Sequence, residues 1–116
     1  LKEMKGYGRG QFIHGFWVNK IVNYLREQSC NPKTEFKVGD KIVDIAYTMN
    51  GKDVFVEVEY KSDWKGNMLR ASKLCDRLVS VFIREKDIID ALAFLKEKNL
   101  LNVTVTDAYY CFKVLP

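Results

Sequence analysis

Residues 43–61 read VDIAYTMNGKDVFVEVEYK, and the fold turns on them. Two β-rich runs, residues 41–48 and 53–61, flank Met49-Asn50-Gly51-Lys52, and an Asn-Gly pair between alternating apolar residues predicts a hairpin. Asp44 and Glu59 then fall on neighbouring strands. Strand side chains alternate, so Val54, Val56, Val58 and Tyr60 point one way while Phe55, Glu57, Glu59 and Lys61 point the other. Charged groups on one face of a mostly buried strand are costly unless paired or bound to a metal, so this face asks for an explanation.

One explanation is phosphodiester chemistry with a hard divalent cation. Mg²⁺ takes oxygen ligands and keeps several waters, so a pair of carboxylates suffices to hold it. Asp44 and Glu59 are the candidate pair. Lys61, two residues on, is placed to orient a water or to offset charge on a phosphate. Each residue also has a plainer reading: Asp44 as a turn cap, Glu57 paired with Arg77, Lys61 as a solubilising charge at a strand end.

At Val43-Asp44 and Glu59-Tyr60-Lys61 the chain resembles the PD-(D/E)xK nuclease superfamily, whose signature is an acid on one strand and acid-x-lysine on the next. Val43 stands where the family has proline, and Glu57 makes the second half read Glu-Val-Glu-Tyr-Lys. The resemblance implies an α/β fold: a single restriction-endonuclease-like domain with an α-β-β-β-α-β core and a mixed central sheet flanked by helices. It implies DNA hydrolysis, endo- or exonucleolytic, with Asp44, Glu59 and Lys61 catalytic and Asp44, Glu59 and Glu57 holding Mg²⁺ or Mn²⁺. Within the superfamily the chain is similar to archaeal Holliday-junction resolvase-like proteins and to nuclease-like domains of mobile elements attached to ATPases. The run Phe12-Ile13-His14-Gly15-Phe16-Trp17-Val18, with Glu57-Val58-Glu59 and Asn67, looks more like the second set, which makes His14 and Asn67 auxiliary candidates. A Glu-x-Glu reading leaves Lys61 on the surface. The alternative on the same fold is therefore a non-catalytic DNA-binding or protein-docking module within a larger protein.

The rest of the chain supplies the order of elements. With 116 residues, 47% hydrophobic and 29% charged, it holds one domain with material for a core. The net charge of +4 suits a polyanionic partner without singling one out. Cys30, Cys75 and Cys111 are odd in number and widely spaced, which indicates neither disulfides nor zinc and favours a reducing, cytoplasmic setting. No apolar run has transmembrane length, so no membrane partner is expected. The first residue is leucine, and a piece of a longer chain with a preceding domain is expected; a homodimer is open.

Residues 1–10, with three glycines and three basic residues, read as a basic flexible arm, and 11–116 as the nuclease-like domain. Apolar residues from Phe12 to Leu25 recur at helical spacing, predicting a first helix over about 11–28, on which His14, Asn19 and Glu27 are the polar candidates. Residues 33–38 read as an edge strand. Ser62 or Asp63 caps a second helix to about Cys75 with Met68, Leu69, Ser72, Leu74 and Cys75 inward. Its Lys65, Arg70 and Lys73, with Lys61 and the arm's Lys2, Lys5 and Arg9, are the candidate contacts to a DNA backbone. Leu78–Ile83 is a strand covered on both faces, reached by a parallel crossover. A third helix spans 85–98, and 103–106 and 109–114 give one or two last strands.

Overall fold

The hairpin closes where the Asn-Gly pair places it. Met49 pairs with Lys52, and Asn50 and Gly51 between them have φ of 53° and 77°, the two left-handed positions that a tight two-residue turn requires. In this computed structural model, residues 2–116 are described, with side chains from Gly10 onward. Helix α1 (Lys2–Glu27) precedes strands β1 (Lys33–Val38), β2 (Lys41–Met49) and β3 (Lys52–Glu59). Then follow α2 (Trp64–Ser72), β4 (Arg77–Phe82), α3 (Lys86–Lys98), β5 (Val103–Asp107) and the short α4 (Cys111–Val114).

The five strands form one mixed sheet in sequence order. β1, β2 and β3 pair antiparallel; β3, β4 and β5 pair parallel, each parallel step crossing over through a helix. α1 covers one face, where Ile21, Val22 and Leu25 meet Ile45, Val54, Val56, Val58, Val79 and Val81. α2 and α3 cover the other, where Met68, Ala71, Ala91 and Phe94 meet Phe55, Leu78 and Phe82. β4 lies between both layers, which is why Leu78–Phe82 carries almost no polar residue. Among the described residues no helix is long and apolar enough to cross a membrane.

Three expectations change. The helical backbone of α1 begins at Lys2, not at Gln11, so residues 2–10 extend a helix rather than form a separate arm. At its described end Gly10 lies against Tyr60, 3.5 Å from where a β-carbon would meet the ring, a close approach that glycine permits. The side chains of Lys2, Lys5 and Arg9 lie outside the described residues. α2 stops at Ser72, with Leu74 exposed rather than buried. Residues 111–114 form α4 instead of a strand, because Asp107 Oδ1 accepts from the Tyr110 N–H at 2.7 Å and turns the chain off the sheet edge.

The feature that positions the site is a break in strand alternation. Val43 belongs to the α2–α3 layer and Ile45 to the α1 layer, so two residues apart on β2 they face opposite ways. The irregularity is at Asp44. β2 and β3 pair from Met49–Lys52 as far as Ile45–Val56, and β1 and β2 pair on either side of Asp44 but not at it. Opposite, Glu35 has φ of 47°. The ladder opens there, and the Asp44 carboxylate fills the gap: its Oδ2 accepts from the Val58 N–H at 2.8 Å.

Candidate functional site

Asp44, Glu57 and Glu59 meet at that opening. The Asp44 N–H donates to Glu57 Oε2 at 3.4 Å, so the backbone of one acid holds the side chain of the other. Glu57 and Glu59 are each 3% exposed. Such burial is expensive for a carboxylate, and each has specific support. Glu59 Oε1 accepts from Asn67 Nδ2 at 3.1 Å and from Ser62 Oγ, while its Oε2 lies 3.4 Å from the same amide. Asn67 sits on α2, whose start is fixed by Asp63 capping the Gly66 N–H at 3.2 Å.

A lysine joins the cluster, and it is Lys41. Its Nζ stands 2.9 Å from Glu57 Oε1 and donates to Asn67 Oδ1 at 3.2 Å. The contact with Glu57 is an ion pair only: Oε1 is buried and accepts no hydrogen bond of acceptable geometry. Arg77, the partner expected for Glu57, instead donates to the carbonyls of Val114 and Pro116. Lys61 is also elsewhere. β3 ends at Glu59, Lys61 takes φ of 55° in the following bend, and its ammonium lies 5.4 Å over the Tyr60 ring. The two-residue alternation that would have set it beside Glu59 stops two residues too early.

His14 completes the arrangement from the other layer. It projects from α1, and its Nε2 lies 3.1 Å from Asp44 Oδ2. Gly10, His14, Trp17 and Ile21 fall at steps of four and three, one face of the helix, which is why the face that packs on the sheet also delivers the imidazole. A cleft of about 240 Å³ opens beside the pair, lined by Gly15, Val18, Asn19, Thr34 and Glu35. Glu27 is far along the helix in a separate depression with Lys20 and Phe112.

The electrostatics sort the three acids. Burial pushes Glu57 up to about 8, Asp44's charge adds to the rise, and Lys41 offsets part of it. Glu59 is raised by burial, with the hydrogen bonds from Ser62 and Asn67 acting against it. Burial also acts to raise Asp44, but the hydrogen bond and charge of His14 and the Val58 N–H outweigh it and hold the carboxyl below its usual range. The hydrogen bond to Asp44 raises His14 in turn, partly countered by burial. An acid held below its usual range, one pushed up to about 8 and an imidazole raised by its contact with the first therefore share one opening.

The proposed backbone contacts divide. Arg70 and Lys73 line a groove of about 340 Å³ with Lys41, floored by Val38, Leu69 and Leu74. Lys65 turns away, its ammonium 5.6 Å over Trp64 and 5.7 Å over Phe94. Reading the sequence missed Lys41 and Ser62. Lys41 carried a signal, since it opens the strand that bears Asp44; Ser62 carried none beyond its place as a cap candidate.

The chain matches no family model, no curated protein and no solved structure.

Proposed function

We propose that the chain is a metal-dependent deoxyribonuclease on a restriction-endonuclease-like fold, with Asp44 and Glu57 as the central pair and Glu59 beside them. The observation that carries this reading is the opened ladder at Asp44, where three carboxyls gather next to a solvent cleft. Among the described residues no three Asp, Glu, His or Cys side chains stand ready in a metal-holding group. The donor set nonetheless fits a hard divalent cation. All three candidates are carboxyls, and burial together with the charge of Asp44 pushes Glu57 up to about 8 even with Lys41 2.9 Å away. Asp44 and Glu57 would hold Mg²⁺ or Mn²⁺, with Glu59 as the auxiliary carboxyl. When bound, such an ion lowers the pKa of a water and offsets charge on a phosphate.

The chain's own residues do the rest. Lys41 supplies the positive charge that the motif assigned to Lys61, from a neighbouring strand, and can shift from Glu57 toward a phosphate oxygen. Asn67 tethers Lys41 and Glu59 together. His14, through its 3.1 Å contact, lowers Asp44 and holds its carboxylate at the opening. The lone cysteines, all unpaired, agree with an intracellular setting.

Incubation with labelled single-stranded, duplex, flap and junction DNA plus Mn²⁺ tests the reading. Cleavage that disappears in both Asp44→Asn and Glu57→Gln is expected. No cleavage of any of the four by the parent, at enzyme in excess, overturns it in favour of a binding module.

A further inference from the structure

Along the α1 face of the sheet, the side from which His14 reaches Asp44, the molecule exposes aromatic rings in a run. Phe16 and Trp17 meet edge to face at 5.5 Å, and Trp17 meets Tyr109 the same way at 5.2 Å. Tyr109 is 81% exposed, Tyr110 54% and Phe16 50%. Exposed rings in a group are not what a solvated surface selects, since each sheds apolar area that folding could have covered. Nor are they loosely hung. Ala108 and Cys111, on either side of the two tyrosines, are buried, the Ala108 N–H donates to the Phe82 carbonyl at 3.2 Å, and Asp107 holds the Tyr110 N–H. The backbone pins both rings outward.

Cations interleave with them. Lys20 lies 5.9 Å over Phe16 and Lys113 lies 5.7 Å over Tyr110. At the same carboxyl edge of the sheet, Arg84 and Lys61 both stand over Tyr60, the residue after Glu59. The register places Glu59, Phe82 and Asp107 side by side on β3, β4 and β5, so Tyr60 and Tyr109 start two strands apart, roughly 10 Å. Trp17 is one helical turn from His14, which holds Asp44. The run of rings thus leads to His14 and, through it, to Asp44.

We propose that this surface is a stacking platform for unpaired bases, so that the strand delivered to the acids is single-stranded or locally melted DNA. The occupant follows from the chemistry. A ring with one open face accepts any base by stacking, and neighbouring ammonium groups take the phosphates between them. A duplex offers these rings nothing, because its base faces are already covered; it would touch the cations alone. An apolar protein partner would cover the ammonium groups of Lys20 and Lys113 without supplying an anion for either. The inference deepens the nuclease reading and rests on it for what happens to the bound strand.

Binding in EDTA separates the two. Labelled oligothymidylate of about 12 nucleotides, within the length such grooves span, is titrated by fluorescence anisotropy against an abasic strand of equal length and a duplex. Thymidylate is expected to bind about 5- to 150-fold more tightly than the abasic strand, the range for one stacked base. Tyr109→Ala should remove that preference and leave duplex binding unchanged, while Tyr109→Phe keeps it. Circular dichroism of Tyr109→Ala checks folding, and Phe16→Ala, on the other element, repeats the measurement independently. Equal affinity for thymidylate and abasic strands overturns the platform, as does an equal loss on all three ligands. A concentration-dependent dimer that Tyr109→Ala dissolves, with no change toward DNA, overturns it in favour of a second copy. The Glu57→Gln protein should keep the preference. If the parent cleaves but shows no preference, the acid site stands and the platform falls; a preference without cleavage does the reverse.

Discussion

Replacing Glu57 by glutamine should make the ion-free protein more stable, although Glu57 sits at the centre of the site. The side chain is 3% exposed, and its carboxyl is pushed from 4.5 up to about 8, first by burial and then by the charge of Asp44. A folded-state value above the unfolded one means that this group's contribution is fully present below 4.5 and is lost as pH rises through about 8. Between 4.5 and neutrality the unfolded chain gains about 1.4 kcal/mol per pH unit from ionising the glutamate, and the fold gains almost nothing. The cost approaches about 3 kcal/mol near pH 7. Glutamine keeps the size of the side chain and an oxygen for the Asp44 N–H, and removes the ionisation. It leaves Lys41 without an anionic partner, so the expected net gain is about 1–3 kcal/mol. Urea unfolding in EDTA at about pH 5 and about pH 8 measures it from midpoints at a common slope. The gain should be largest at the higher pH and nearly vanish at the lower. With Mn²⁺ the parent should recover stability by mass action and the variant should not. A variant less stable than the parent at about pH 8, or a difference that does not grow with pH, refutes the reasoning.

Three further outcomes follow from the geometry. Because His14 is the chain's only histidine, its ring protons titrate alone in an NMR spectrum; Asp44→Asn should lower its pKa toward the ordinary value, and an unchanged titration means that the contact with Asp44 is absent in solution. Lys41→Met should slow single-turnover cleavage by about 10²–10³, whereas Lys61→Met should leave the rate within about threefold, since that ammonium lies over Tyr60. The reverse ranking restores the motif as first read. Gly51→Ala meets no neighbour but must hold φ of 77°, so thermal or urea unfolding should register a loss of about 1 kcal/mol.

The hairpin, the covered strand and the first crossover could be read from the chain because each rests on local signals: Asn50-Gly51, the apolar run from Leu78, and Asp63 at a helix start. The shared side of Glu57 and Glu59 was legible for the same reason, since alternation along β3 holds as far as Glu59. Lys61 was not, because alternation says nothing about where a strand stops, and two residues of backbone decide which way the side chain goes. Lys41 was hidden by a different limit. Its pairing with Glu57 depends on how far β2 and β3 separate at Asp44, and that break in alternation has no signature in the order of residues. The contact between His14 and Asp44, 30 positions apart, joins two layers and needs the helix's docking as well as its period.

The sheet is half meander and half crossover, and the two halves are assembled by different kinds of chain closure. β1, β2 and β3 are joined by turns of two residues, so Asp44 and Glu57, 13 positions apart, meet after closing only short loops. β4 must wait for α2, and β5 for α3. In the early hairpin Glu57 is still wet and ionises freely; what dehydrates it is the later arrival of β4 and α2. If that arrival follows the rate-limiting step, raising the pH should shorten the lifetime of the native state while leaving the refolding rate almost untouched. The cation proposed between Asp44 and Glu57 would act on the same late step in the opposite sense, and its residence time would then clock how long the folded molecule survives.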